Sequence, residues 1–206
     1  MMRRHASPSD CGVGSTTRTL CAFVLVCIGI AGCGHSSPTR FVTLDATPAQ
    51  APLSTAAMAP VQLSAVHIPA VLDRPEVVTQ IAPNRLAIDD NDRWGAPLAL
   101  MMRSTLAQDL LPRLPAGAFV FPDAPAPAGT RTLVVTVLDC NASAGGTLTL
   151  QVAWTLLSGQ PARTTLTQQA ALSAQLEGHD AAAQAAALSR VLGELADRIA
   201  ASIAMR

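Results

Sequence analysis

Residues 147–154 read TLTLQVAW. Leu148, Leu150, Val152 and Trp154 fall on one side of this run, and Thr147, Thr149, Gln151 and Ala153 on the other. That period of two marks a β-strand in a sheet with one covered face. Such a face must be roofed by an element with its own apolar stripe, and the end of the chain supplies one. Behind Asp180, a residue suited to capping, Leu188, Val191, Leu192, Leu195, Ile199 and Ile203 recur at helical spacing. Glu194 lies four residues from both Arg190 and Arg198, where ion pairs are expected on the wet side of the helix.

Working outward from that strand, Thr132 to Asp139 is β-branched and apolar, and Gly145-Gly146 supplies the turn into Thr147. Ser158-Gly159-Gln160-Pro161 turns again, so Arg163 to Leu172 returns as the third strand of a meander. A second helix is expected to start at Pro97, with Leu98, Met101, Met102, Leu106 and Leu110 on one face and Pro112 at its end. Upstream, Val77 to Ile81 and Arg85 to Ile88 read as a hairpin turning at Pro83-Asn84. Val61 to Ile68 is extended and stops at Pro69, and Phe41 to Leu44 forms a first short strand. ATPAQAPLSTAAMAP (46–60) and PDAPAPAG (122–129) are loops, and no internal repeat is present. The fold class expected is α+β: a two-layer domain whose largely antiparallel sheet is covered on one face by two amphipathic helices.

The start of the chain has a different logic. The apolar run from Leu20 to Ile30 is about 11 residues, short of the roughly 20 that span a bilayer. Arg3, Arg4, His5 and Arg18 precede it, as in a secretory signal. It ends at Ile30-Ala31-Gly32-Cys33, which resembles the lipobox of bacterial lipoproteins. A plain signal peptide with a chance cysteine is the alternative reading. The lipobox implies cleavage between Gly32 and Cys33 and acylation of the Cys33 thiol, and more than one acyl chain gives stable anchoring. The expected organisation is a signal peptide over 1–32, a lipidated tether over 33–39 and one domain over 40–206. By likeness to sorted lipoproteins, Gly34 in place of Asp directs the chain to the outer membrane, on its periplasmic face.

Removing residues 1–32 from the 206 leaves 174, enough for one domain with a proper core. That portion carries 11 arginines, no lysine and 13 acidic residues, a net charge of −2 with histidine neutral. No basic face for nucleic acid is indicated. Cys140 is the one thiol left beside Cys33, so neither an internal disulfide nor a cysteine metal site is expected. Asp89-Asp90-Asn91-Asp92 lacks the glutamate an EF-hand loop needs at its twelfth position, where Met101 stands, and is expected to form a polar turn. His67, Asp73 and His179 accompany no nucleophile motif, and no phosphate-binding loop is present. No metal and no cofactor are expected beyond the covalent lipid on Cys33.

HIPAVLDRPEVVT (67–79) and DRWGAPL (92–98) are more than generic loop and strand. Pro69 and Pro75 stiffen the backbone around Leu72-Asp73-Arg74, and Arg93 beside Trp94 brings together two residue types enriched at interface hot spots. The matching residues Ile68, Pro69, Leu72, Asp73, Arg74, Pro75, Val77 and Val78, then Arg93, Trp94, Pro97 and Leu98, resemble the pattern of the ABC-type transport auxiliary lipoproteins, the PqiC-like family. Val71 stands where that family commonly has tyrosine, and Gly95-Ala96 replaces Ala-Glu. The resemblance implies a non-enzymatic part in intermembrane lipid transport, docking to an MCE-domain partner, with homo-oligomeric rings as a further implication. A lipoprotein scaffolding or activating a cell-wall or outer-membrane assembly enzyme is the alternative. Two readings stand for Asp73, Arg74, Pro75, Arg93 and Trp94. They make a partner contact, or they pin the fold, with Trp94 in the core and Asp73 paired to Arg74, Arg85 or Arg93.

Overall fold

A computed structural model of the chain describes residues 37–49, 52 and 58–205, apart from the side chain of Asp89. The signal segment, Gly32 and Cys33, and most of the loop at 50–57 lie outside the described residues. Among the described residues, no helix is long and apolar enough to cross a membrane.

The strands are β1 (Arg40–Val42), β2 (Val61–His67), β3 (Glu76–Ala82), β4 (Arg85–Trp94), β5 (Phe119–Val120), β6 (Arg131–Ala142), β7 (Thr147–Ser158) and β8 (Arg163–Gln175). The helices are α1 (Leu98–Leu110), extended by a 3₁₀ turn at Leu111–Arg113, and α2 (Ala181–Ala204). A five-stranded sheet runs β5-β2-β6-β7-β8, and a three-stranded one runs β1-β4-β3. The α+β class with two covering helices is therefore observed. The meander β6-β7-β8 is antiparallel as expected, whereas β2 pairs in parallel with both β5 and β6. The hairpin strands do not join the main sheet. With β1 lying parallel to β4, they build the second one.

Alternation places the core. Leu148, Leu150, Val152, Trp154 and Leu156 of β7 are buried, as are Leu133, Val135 and Val137 of β6 and Leu63 of β2. They meet the two helices, which pack on each other above the sheet. All six residues of the expected α2 stripe are buried. Asp180 caps that helix, accepting from the Ala183 amide at 2.8 Å. Trp154 Nε1 donates to Ser202 Oγ at 3.1 Å, so the indole's polar end is satisfied inside the core. Arg198 pairs with Glu194 at 2.9 Å. Arg190 instead turns to Glu177 and the Gln175 carbonyl at the end of β8.

One local reading needs correction. Residues 89–92 continue β4 and do not form a polar turn. Pairing with β1 draws them into the ladder, and Arg40 grips Asp92 with two bonds, Nε to Oδ1 at 2.6 Å and Nη2 to Oδ2 at 2.8 Å. The segment 43–49 is irregular yet fixed. The Asp45 amide donates to Ser189 Oγ at 3.1 Å, and the Thr47 amide and hydroxyl donate to Asp109 Oδ1 at 2.7 and 3.1 Å. Arg113 secures the same point, donating to Asp197 Oδ1 at 2.6 Å and to the Thr47 carbonyl at 3.3 Å. Burial pushes the Asp109 carboxyl above its ordinary range, although the donors of Thr47 and the Arg113 charge oppose the shift.

Candidate functional site

Pro69 to Arg74 forms a compact turn, with the amides of Leu72, Asp73 and Arg74 donating to the carbonyls of Pro69, Ala70 and Leu72. Pro75 then delivers the chain into β3, and its carbonyl accepts from the Trp94 amide at 2.7 Å. The two halves of the motif, joined here across 19 positions of sequence, are thus stitched backbone to backbone. The turn drives Leu72 inward, where it and Trp94 are 9% and 8% exposed. Both line a cavity of about 30 Å³ shared with Leu98, Cys140, Leu148 and Leu188, at the seam between the two sheets and α2. Burial raises the Cys140 thiol to about 12, so it lines the cavity as a small apolar residue in its protonated form.

Neighbouring residues of a strand point to opposite faces. Arg93 therefore turns outward where Trp94 turns inward, and the guanidinium does not share the indole's environment. Its neighbours in register are Phe41 on β1 and Glu76 on β3. Arg74 Nε donates to Glu76 Oε2 at 3.0 Å, and Arg93 Nη2 stands 3.8 Å from Glu76 Oε1. One carboxylate thus serves two guanidiniums. The Arg74 bond, and after it the bond from its own backbone, holds Glu76 below the usual glutamate range. Asp73 is exposed and takes no part in this pairing, correcting the expectation that it would be the acidic partner. Both guanidiniums remain partly open to solvent, with 39% and 40% of their side chains exposed. Phe41 is 67% exposed and Val71 47%.

The motif therefore has two sides. Leu72 and Trp94 face inward, while Phe41, Arg93, Arg74 and the tip residues Val71 and Asp73 form an outer face, and the largely covered Glu76 lies between them at the edge of the cavity. Pro75 is exposed between them. Glu76 is not legible from the sequence as the partner of Arg93, since a regular hairpin turning at Pro83-Asn84 would set it opposite Asn91. Two register shifts in β3–β4 move it to Arg93. Phe41 was read only as part of a first strand, and nothing in its local sequence announces that β1 will lie against β4. Among the described residues no group of three or more histidine, cysteine or acidic side chains is arranged to hold a metal ion.

Two solved structures share this architecture. An uncharacterized protein superposes with a TM-score of 0.62 at 20% identity, over 82% of this chain and 98% of its own. A protein from Xanthomonas campestris does so with a TM-score of 0.60 at 16% identity, over 78% and 91%. At such identities the likeness speaks for the fold alone. No curated protein matches the sequence. The family model described as "ABC-type transport auxiliary lipoprotein component" matches residues 43–200, from the segment after β1 through most of α2. The chain belongs to the family of ABC-type transport auxiliary lipoproteins.

Proposed function

We propose that the protein is a non-enzymatic, lipid-anchored component of an MCE-type intermembrane lipid transport system. It is held at the periplasmic face of the outer membrane through acylated Cys33 and docks to an MCE-domain partner. The observation that carries this reading is the family match over residues 43–200. The outer face of the motif supports it, since it presents two partly exposed guanidiniums, of which Arg93 lies beside the exposed Phe41 ring, and arginine and aromatic residues are enriched at interfaces. Leu72 and Trp94 hold that face in place from below. Several copies assemble as a ring in the same proposal, which the mass of the detergent-solubilised particle measures.

The test is a detergent pull-down of the tagged, acylated protein from native envelopes, with mass spectrometry of what accompanies it. An MCE-domain protein should be recovered, and the double variant Arg74→Ala/Arg93→Ala should lose it while keeping its fold. Recovery undiminished in that variant would move docking elsewhere on the surface. Cell-wall enzymes recovered with no MCE-domain protein would replace the transport reading by a scaffolding one.

A further inference from the structure

The β3–β4 hairpin ends in a cluster of apolar side chains that the fold does not use. Ile81, Leu86 and Ile88 are 45%, 48% and 41% exposed. Pro83 and Asn84 form the exposed turn between them, and Asn84 takes the positive φ of 62° that asparagine tolerates. Register puts Ile88 beside Val78 and Leu86 beside Gln80 on one face, while Ile81 follows Thr79 on the other. The tip is thus apolar on both sides. Single exposed apolar residues are ordinary, but here three gather at the end of one projecting element. Arg85 is the one charged residue from Val77 to Ile88. The β6–β7 turn beside the tip, where the Ala144 amide donates to the Gln80 carbonyl, is likewise uncharged from Asn141 to Gly146.

The direction of this tip is fixed by β1. Because β1 runs parallel to β4, with Arg40 opposite Asp92, the chain upstream of Arg40 arrives from the end at which β4 begins. Seven strand residues separate Asp92 from Arg85, so the tip extends about 23 Å beyond the start of β1 at about 3.3 Å per residue. Seven residues also separate Arg40 from Cys33, which cannot reach farther than about 25 Å even fully extended. The greatest reach of Cys33 from Arg40 is thus comparable with the reach of the tip.

We infer that the tip of the β3–β4 hairpin enters the interfacial layer of the bilayer to which the chain is anchored, with Pro83, Ile81 and Leu86 deepest, Ile88 nearer the headgroups and the Arg85 side chain reaching back to the phosphates. This rests on the lipid-anchor reading above. Interfacial elements bury their apolar side roughly 5–10 Å deep, which matches the rise of about 7 Å from the turn at Asn84 to Leu86. Exposed Asp90, farther up β4, stays in water and limits the depth. The contact orients the domain relative to the bilayer.

The experiment uses the full acylated chain in vesicles of phosphatidylethanolamine and phosphatidylglycerol, with an environment-sensitive dye on Leu86→Cys. A second preparation carries the dye on Gln160→Cys, in the exposed β7–β8 turn, for comparison. Both preparations carry Cys140→Ala, which removes the one other half-buried thiol of the domain, and Cys33 is acylated in this reading. Flotation first establishes anchoring. With the protein afloat, the dye at 86 should shift to the blue and be quenched several-fold more by nitroxide-labelled lipid than the dye at 160. Adding Ile81→Glu and Ile88→Glu should abolish that difference without changing flotation or the circular dichroism spectrum. Equal quenching at both sites in floating protein would overturn the inference and leave the anchor standing. Shielding of the dye at 86 only after envelope proteins are added would overturn it in favour of a protein contact. A chain that does not float would remove the anchor reading and this inference together.

Discussion

Glu76 is the residue on which the motif turns, because its single carboxylate answers to Arg74 and Arg93 from two different parts of the chain. Its folded-state pKa lies below its unfolded one. The stabilisation is therefore complete above the unfolded value and is lost as pH falls through the folded one. The variant Glu76→Gln should flatten the acid side of the melting-temperature profile against pH, and added salt should narrow the difference from wild type, since the group is solvent-screened. Trp94 behaves differently. Buried at the seam, Trp94→Ala should lose about 3–5 kcal/mol in chemical denaturation. Arg93→Ala, one residue earlier but facing water, should cost less than about 1 kcal/mol. The motif's proline turn and its paired arginines were legible because they depend on local chemistry. Asp73 was favoured over Glu76 because the pairing depends on bulges that no local pattern announces.

At the scale of elements, the segment 43–49 behaves as a strap laid across α2. A Cβ built on Gly193 would collide with Thr47 Oγ1 and stand 2.9 Å from Thr47 Cβ. Alanine for glycine within a helix ordinarily stabilises by about 1 kcal/mol. Here Gly193→Ala should instead destabilise by about 1–3 kcal/mol, as overpacking does. In a Thr47→Gly background the same change should recover the ordinary sign, a reversal that a thermal double-mutant cycle reads directly. The amphipathic α2, its Asp180 cap and the alternating β7 could be read from the sequence because each repeats a strong periodic signal. The strap could not, since its order comes from Ser189, Gly193, Asp109 and Arg113, all remote in sequence. The parallel entry of β2 beside β6 was hidden for the same reason. Pairing direction is settled by what lies between strands in space.

For the whole molecule, the anchor reading predicts that Cys33→Ser will release the protein from the membrane fraction into the soluble periplasm, with its melting temperature unchanged, as fractionation and scanning calorimetry of the released form would record. The anchored end also meets the domain in a particular way. On the anchor reading, tension applied through Cys33 enters at Arg40 and pulls β1 along its own axis, past a parallel neighbour. In that arrangement the β1–β4 hydrogen bonds and the two-pronged Arg40–Asp92 pair bear the load together, where a strand peeled from its end would give them up one at a time. Behind them the Thr47 fastening takes whatever force passes β1. The first ten residues of the domain are thus placed to act as a shear clamp, so an anchored protein can be tugged by a moving bilayer without its two-sheet seam being the part that yields.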